Sequence, residues 1–204
     1  NVGLLFQDSW KLWNNTIELV YGSRLDKNSE IESAIFSPRA VMRWTLSPTW
    51  TFRGGFSTGF MAPQIFDEDL HITQVSGEGH IIRNSENLKE ERAATLYAGM
   101  EYTKIVGISG LRLSVSGFYT DFTNSFLLNE QDDPNTNEIE FYRINGDGAV
   151  IKGFETEVGL RIPRGEITAG LTIQSSRLDS PEPDFDSIHF FRTPDIYGAV
   201  RAGY

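Results

Sequence analysis

Gly110-Leu111-Arg112-Leu113-Ser114-Val115-Ser116-Gly117-Phe118-Tyr119-Thr120 alternates strictly along its length. Leu111, Leu113, Val115, Gly117 and Tyr119 fall on one side of an extended chain, and Arg112, Ser114, Ser116, Phe118 and Thr120 on the other. Successive side chains of a strand point in opposite directions, so a period of two marks a β-strand with two unlike faces. The pattern recurs in both directions from this stretch. Downstream, Phe154, Thr156, Val158, Leu160 and Ile162 alternate with Glu155, Glu157, Gly159 and Arg161, and Ile167, Ala169, Leu171 and Ile173 with Thr168, Gly170, Thr172 and Gln174. Upstream, Ile17, Leu19 and Tyr21 oppose Glu18, Val20 and Gly22, while Ala40, Met42, Trp44 and Leu46 oppose Arg39, Val41, Arg43 and Thr45.

Extended outward, the alternation predicts about nine strands, at 2–12, 14–25, 37–46, 48–59, 92–103, 110–127, 139–162, 165–178 and 190–203. Several exceed the five or six residues usual in a soluble sheet and reach the nine to eleven of a tilted strand that crosses a bilayer. The connections alternate in length as well. Trp13-Asn14, Ser47-Pro48, Val106 to Ser109 and Pro163-Arg164 read as short turns, and polar loops at about 26–36, 60–91, 128–138 and 178–189 lie between them. Tight turns at one end and long loops at the other are the habit of outer-membrane barrels. A soluble sandwich has no reason to collect every long loop at one end.

The composition agrees. Aromatics make up 12% of the 204 residues, with nineteen glycines and three methionines, a balance closer to β than to helical proteins. A formal charge of −10 argues against a nucleic-acid partner, which would need clustered Lys and Arg. The absence of cysteine removes disulfides, zinc thiolates and thiol catalysis together. No run of about 18 apolar residues announces a membrane-spanning helix, and no signal peptide is visible. The chain starts in strand-like sequence at Asn1-Val2-Gly3 and stops in strand-like sequence at Ala202-Gly203-Tyr204, so a fragment of a larger protein is expected.

All four tryptophans flank short turns, Trp10 and Trp13 at one and Trp44 and Trp50 at another, with Tyr102 beside a third. Trp and Tyr favour the headgroup level of a membrane, where an apolar ring and one polar N–H or O–H are both satisfied, so these five are expected at the membrane interface. Ordinary core aromatics at strand ends are the plainer reading. The loops are acidic, which by itself marks only a solvated face. Asp8 is a departure: its parity with Phe6 points it outward, placing it at the interface unless a bulge shifts the register.

Several stretches resemble the TonB-dependent receptor family, in that family's order. They are Phe6-Gln7-Asp8-Ser9-Trp10-Lys11-Leu12, Ser37-Pro38-Arg39-Ala40, and Phe52 to Pro63, whose Gly59-Phe60-Met61-Ala62-Pro63 has Met61 where Arg is common. Asn84 to Glu91 resembles the family's Asn-x-x-Leu-Lys-Pro-Glu loop with Glu90 in place of Pro, and Leu96 to Tyr102 and Asn145 to Glu157 resemble further barrel strands. The small residues of that last block are expected to let a long strand twist or bulge. The resemblance covers barrel strands alone. It implies an all-β, antiparallel up-and-down transmembrane barrel of the bacterial outer membrane, present here as a partial barrel. The plug domain and TonB box of the family are absent from the chain, which reads from 1 to 204 as barrel.

The function implied is that of a receptor that binds a scarce nutrient, whether a ferric siderophore, haem, cobalamin or an oligosaccharide, and imports it with energy supplied through TonB. TonB would act through the plug region. The remaining partners implied are outer-membrane lipid and lipopolysaccharide, and no cofactor is expected. Just beyond the best family motif, Phe66, Asp67, Glu68, Asp69 and His71 form an acidic and aromatic cluster, a candidate site for a cationic or planar ligand. A passive channel or structural barrel and a soluble β-sandwich binding module are the alternatives. Catalysis has no foothold. Gly55-Phe56-Ser57-Thr58-Gly59 matches a nucleophile elbow but lacks the helix that the elbow requires. His71, His80 and His189 have no metal-ligand spacing, and the calcium-like Asp133, Asn135 and Asn137 are followed by Glu138 and Ile144 where Gly and Glu are needed. Gly146-Asp147-Gly148 opens no helix and is no phosphate loop. Asn14-Asn15-Thr16 fits a glycosylation sequon by composition only.

Overall fold

A computed structural model describes residues 2–29, 31, 33–63, 81–132, 139–181, 187–190 and 193–204. In chain order the strands are β1 (Val2–Leu12), β2 (Ile17–Lys27), β3 (Ile35–Thr45), β4 (Trp50–Met61), β5 (Ile81–Asn84), β6 (Glu91–Val106), β7 (Ser109–Thr123), β8 (Phe126–Asp132), β9 (Ile139–Asn145), β10 (Gly148–Ile162), β11 (Gly165–Leu178) and β12 (Ile196–Gly203). Nine of them form one antiparallel sheet in the order β1-β2-β3-β4-β6-β7-β10-β11-β12, and the sheet is not closed. Each strand of this sheet pairs with its neighbour in the chain once β5, β8 and β9 are set aside, so the connections fall alternately at the two ends. All four tight ones lie at the same end: residues 13–16, 46–49, 107–108 and 163–164.

Local chemistry builds these turns. Gly107 has a φ of +60° at the first position of a two-residue hairpin, as a type II′ turn requires. Ser47 Oγ accepts from the N–H groups of Thr49 (3.3 Å) and Trp50 (3.1 Å), closing the β3–β4 turn. Trp13, Asn14 and Asn15 all take positive φ, so the β1–β2 turn occupies residues 13–16 and β2 begins at Ile17 rather than at residue 14. Asn tolerates that left-handed conformation well; Trp13 does not.

The register carries the alternation across the sheet. Leu113 faces Tyr102 on β6 and Val158 on β10, Val158 faces Ala169 on β11, and Ala169 faces Val200 on β12. In the other direction Tyr102 faces Trp50, Phe52 faces Trp44, and Trp44 faces Ile17. One face is therefore mainly apolar and the other mainly polar. Little of the apolar face is covered by protein: Leu4 is 72% exposed, Phe154 66% and Val200 75%. The buried apolar residues Ile31, Ile35 and Ala62, with Phe60 packed on them, form a small cluster at the long-loop end. A single sheet with one bare apolar face is stable only where something other than water covers it.

Two expected strands are each divided. The stretch at 110–127 breaks after Thr123, where Asn124 takes a φ of +57°, and the stretch at 139–162 breaks at residues 146–147. Beyond these breaks β8 and β9 leave the main sheet, and β5 joins them in a second sheet of order β5-β9-β8. β5 pairs parallel to β9. Part of the expected loops at 60–91 and 128–138 is therefore strand. No bulge interrupts the pairing of β10 with β11, which runs from Ala149↔Leu178 to Ile162↔Gly165. Gly153 in that run serves close approach instead, because a Cβ there would lie 2.5 Å from the Ile173 carbonyl oxygen.

Candidate functional site

The polar face carries a ladder of charges in the half nearest the tight turns. Glu101 on β6 accepts from Arg53 on β4 (3.1 Å) and Arg112 on β7 (2.9 Å), and Arg112 also approaches Glu157 on β10 at 3.9 Å. Arg161 and Glu166 pair across the β10–β11 turn at 3.3 Å. On the other side Lys11 faces Glu18, Glu18 faces Arg43, and Arg43 faces Arg53. Two arginines opposite each other repel. The carboxylates on both flanks, Glu18 and Glu101, offset that repulsion. Each of these residues shows in the sequence only as a polar member of its own strand, and cross-strand register alone assembles them.

At the opposite end the small sheet is fastened to the barrel strands through Asn145. Its side-chain oxygen accepts from Lys89 N–H (2.7 Å), and its amide donates to the carbonyls of Lys89 (2.9 Å) and Asn124 (2.9 Å). Asn124 in turn donates to the Glu90 carbonyl (3.3 Å), and the N–H of Phe126 donates to a Glu91 carboxylate oxygen (3.1 Å). Ser85 N–H reaches the Arg143 carbonyl at 3.1 Å. One amide side chain thereby ties the end of the long loop before β6 to the neck of the β8–β9 hairpin. Glu90, where the family has Pro, is buried and paired with Arg92 at 2.5 Å. The Gly146 turn supports the neck: its N–H donates to the Ser125 carbonyl at 2.6 Å, and a Cβ on Gly146 would meet Leu127 Cδ1 at 2.6 Å.

The sequence candidates fall as follows. Phe66, Asp67, Glu68, Asp69 and His71 lie outside the described residues, as do His80 and the calcium-like Asp133, Asn135 and Asn137. Trp10, Trp44, Trp50 and Tyr102 share the apolar face near the tight turns, with Trp13 in a turn, 76% exposed. The Trp50 and Tyr102 rings are 4.8 Å apart. Asp8 does point to the apolar face, with pairing unbroken from Val2↔Lys27 to Leu12↔Ile17, so no bulge rescues it. Hydrogen bonds do so instead: Asp8 accepts from Ser9 N–H (2.8 Å), Trp10 Nε1 (3.0 Å) and the Tyr21 hydroxyl (3.1 Å). Ser57 lies within β4, between Arg39 and Thr95, in a strand and not at an elbow. His189 is exposed, and among the described residues no three His, Cys, Asp or Glu side chains are grouped to hold a metal ion.

Comparison with known proteins places this geometry. The family model described as TonB dependent receptor-like, beta-barrel matches residues 1–204. An iron-regulated outer membrane virulence protein of Vibrio cholerae is 34% identical over 182 residues, covering 85% of this chain and 27% of its own length. The chain thus spans about a quarter of that relative. Among solved structures, the siderophore receptor PirA of Pseudomonas aeruginosa superposes with a TM-score of 0.72 at 21% identity, over 85% of this chain and 34% of the receptor. A mutant of the ferric enterobactin receptor of the same organism, in complex with enterobactin, gives a TM-score of 0.66 at 19% identity, over 92% of this chain and 28% of the receptor. At these identities the two structures speak for the fold.

Proposed function

Because this chain belongs to the TonB-dependent receptor family, as part of its β-barrel domain, we propose that the protein carrying it takes up an iron-bearing ligand, a ferric siderophore, across the bacterial outer membrane. The family comprises receptors and transporters rather than enzymes. The observation that carries the reading is the 34% identity with an iron-regulated outer-membrane protein over these same strands. It favours iron over cobalamin and oligosaccharides. The geometry supports the reading in two ways. A polar face laddered with charge suits the inside of a barrel, and a loop sheet fastened by Asn145 suits the wall of a ligand mouth.

In this reading the bare apolar face meets outer-membrane lipid, and Trp10, Trp13, Trp44, Trp50 and Tyr102 mark the periplasmic interface. Phe66, Asp67, Glu68, Asp69 and His71 belong to the mouth, and TonB acts through a plug that residues 1–204 do not include. Uptake of radioactive iron on a siderophore tests this in an iron-starved strain with and without the gene. Uptake that depends on the gene and stops on adding a protonophore is the expected result. Gene-dependent uptake that persists without proton-motive force would establish a passive channel instead.

A further inference from the structure

Asn145-Gly146 is the one Asn-Gly pair in the 204 residues. The pair is chemically fragile. Glycine carries no Cβ to shield its backbone nitrogen, so that nitrogen can attack the side-chain amide of the residue before it. Position 146 has no room for anything larger, because a Cβ there would meet Leu127 Cδ1 at 2.6 Å and Cγ at 2.9 Å. The glycine that lets the neck of the β8–β9 hairpin close is thus the one that leaves Asn145 open to attack.

In the folded protein both reacting groups are occupied. Gly146 N–H donates to the Ser125 carbonyl at 2.6 Å, one step beyond the Phe126↔Asn145 pairing. The Asn145 side chain accepts from Lys89 N–H at 2.7 Å and donates to the carbonyls of Lys89 and Asn124, both at 2.9 Å. Reaction requires Asn145 Cγ to reach Gly146 N. The nitrogen must therefore leave Ser125, and the side chain must leave Lys89 and Asn124. Asn145 and Gly146 are only half-buried, so water has access to both.

We propose that Asn145 is a site of spontaneous deamidation, which the closed neck holds back and which, once complete, keeps the neck open. The Gly146 nitrogen gives up its proton and bonds to Asn145 Cγ. The Cγ–Nδ2 bond breaks, and ammonia leaves with that proton. One water then opens the succinimide ring at either carbonyl, giving aspartate or isoaspartate. A carboxylate at 145 still accepts from Lys89 N–H but has no hydrogen to offer the Lys89 and Asn124 carbonyls. Their oxygens, 2.9 Å from the amide nitrogen that is lost, then face a negative charge and repel it. Isoaspartate also adds a backbone methylene, which disturbs the pairing of residue 145 with Phe126. Opening runs one way, and it depends on the neck alone, whatever ligand the protein carries.

The full-length protein in detergent is aged at mildly alkaline pH, either folded or unfolded in urea, and peptide mass spectrometry follows the gain in mass at Asn145. In the unfolded chain Asn145 is expected to convert before any other asparagine. In the folded protein it converts about ten- to a hundredfold more slowly, the protection given by a few hydrogen bonds. Asn124→Gly keeps the left-handed backbone and drops the side-chain bond to the Glu90 carbonyl. It is expected to speed conversion several-fold in the folded state alone. Asn145→Asp reproduces the product, so amide exchange over residues 85–91 rises as it does in aged protein, while β6 and β7 keep their protection. Folding of each variant is verified by its mobility on unboiled gels. If Asn124→Gly does not fold, the folded and unfolded parent decide between them. Conversion as fast in the folded protein as in urea overturns the proposal. So does an unchanged rate in folded Asn124→Gly, or parent-like protection of residues 85–91 in folded Asn145→Asp.

Discussion

Asp8 shows how one residue can violate a pattern without breaking it. Its carboxylate lies on the apolar face, four residues from the end of β1, within about 10 Å of the tight-turn end. A charge at that depth costs little compared with one at the midplane, and the Trp10 indole and Tyr21 hydroxyl lower the cost further. Tyr21→Phe removes one of these donors and keeps the ring. It is expected to lower stability by about 1 kcal/mol in urea titrations of vesicle-inserted protein. Gly153 offers a second test at this scale. With the Ile173 carbonyl 2.5 Å from the position of a Cβ, Gly153→Ala must push β10 and β11 apart, at about 1–3 kcal/mol. The same titration checks it, and an unchanged midpoint would show that the strands part freely there.

Among the elements, the loop sheet and the charge ladder respond differently to mutation. Asn145→Ala removes three hydrogen bonds, two that tie Lys89 to the β8–β9 neck and one to the Asn124 carbonyl within it. Amide exchange over residues 85–91 is expected to rise about ten- to a hundredfold while β6 and β7 keep their protection. If the barrel strands loosen equally, Asn145 supports the whole sheet and not a local latch. Glu101→Gln strips Arg53 and Arg112 of their shared carboxylate, but both guanidiniums reach solvent. The expected loss is therefore only about 1 kcal/mol, smaller still in high salt, and unfolding at two ionic strengths measures it. The main strands were legible in the sequence because burial on one face imposes a period of two on each strand separately. The ladder was not, since its members sit on different strands and meet only through register. The breaks at Asn124 and Gly146 were hidden for a related reason. Alternation continues past a corner, and a parallel partner such as β5 is chosen by tertiary contact rather than by its own four residues.

Over the whole molecule, the bare apolar face predicts behaviour in bulk. Full-length protein should require detergent, and should run differently on gels before and after boiling, because an intact barrel binds less detergent than the unfolded chain. Identical mobility would contradict a membrane barrel. The order of pairing carries a further consequence. Four pairs, β1–β2, β3–β4, β6–β7 and β10–β11, are closed by turns of two to four residues, whereas their junctions must span residues 28–34, 62–90, 124–147 and 179–195. Closing a short loop restricts the chain far less than closing a long one, and local pairings form soonest. The sheet is thus prepared for assembly from four ready-made hairpins whose tight tips stay on the side from which the chain arrives, while the long crossings are carried through the bilayer.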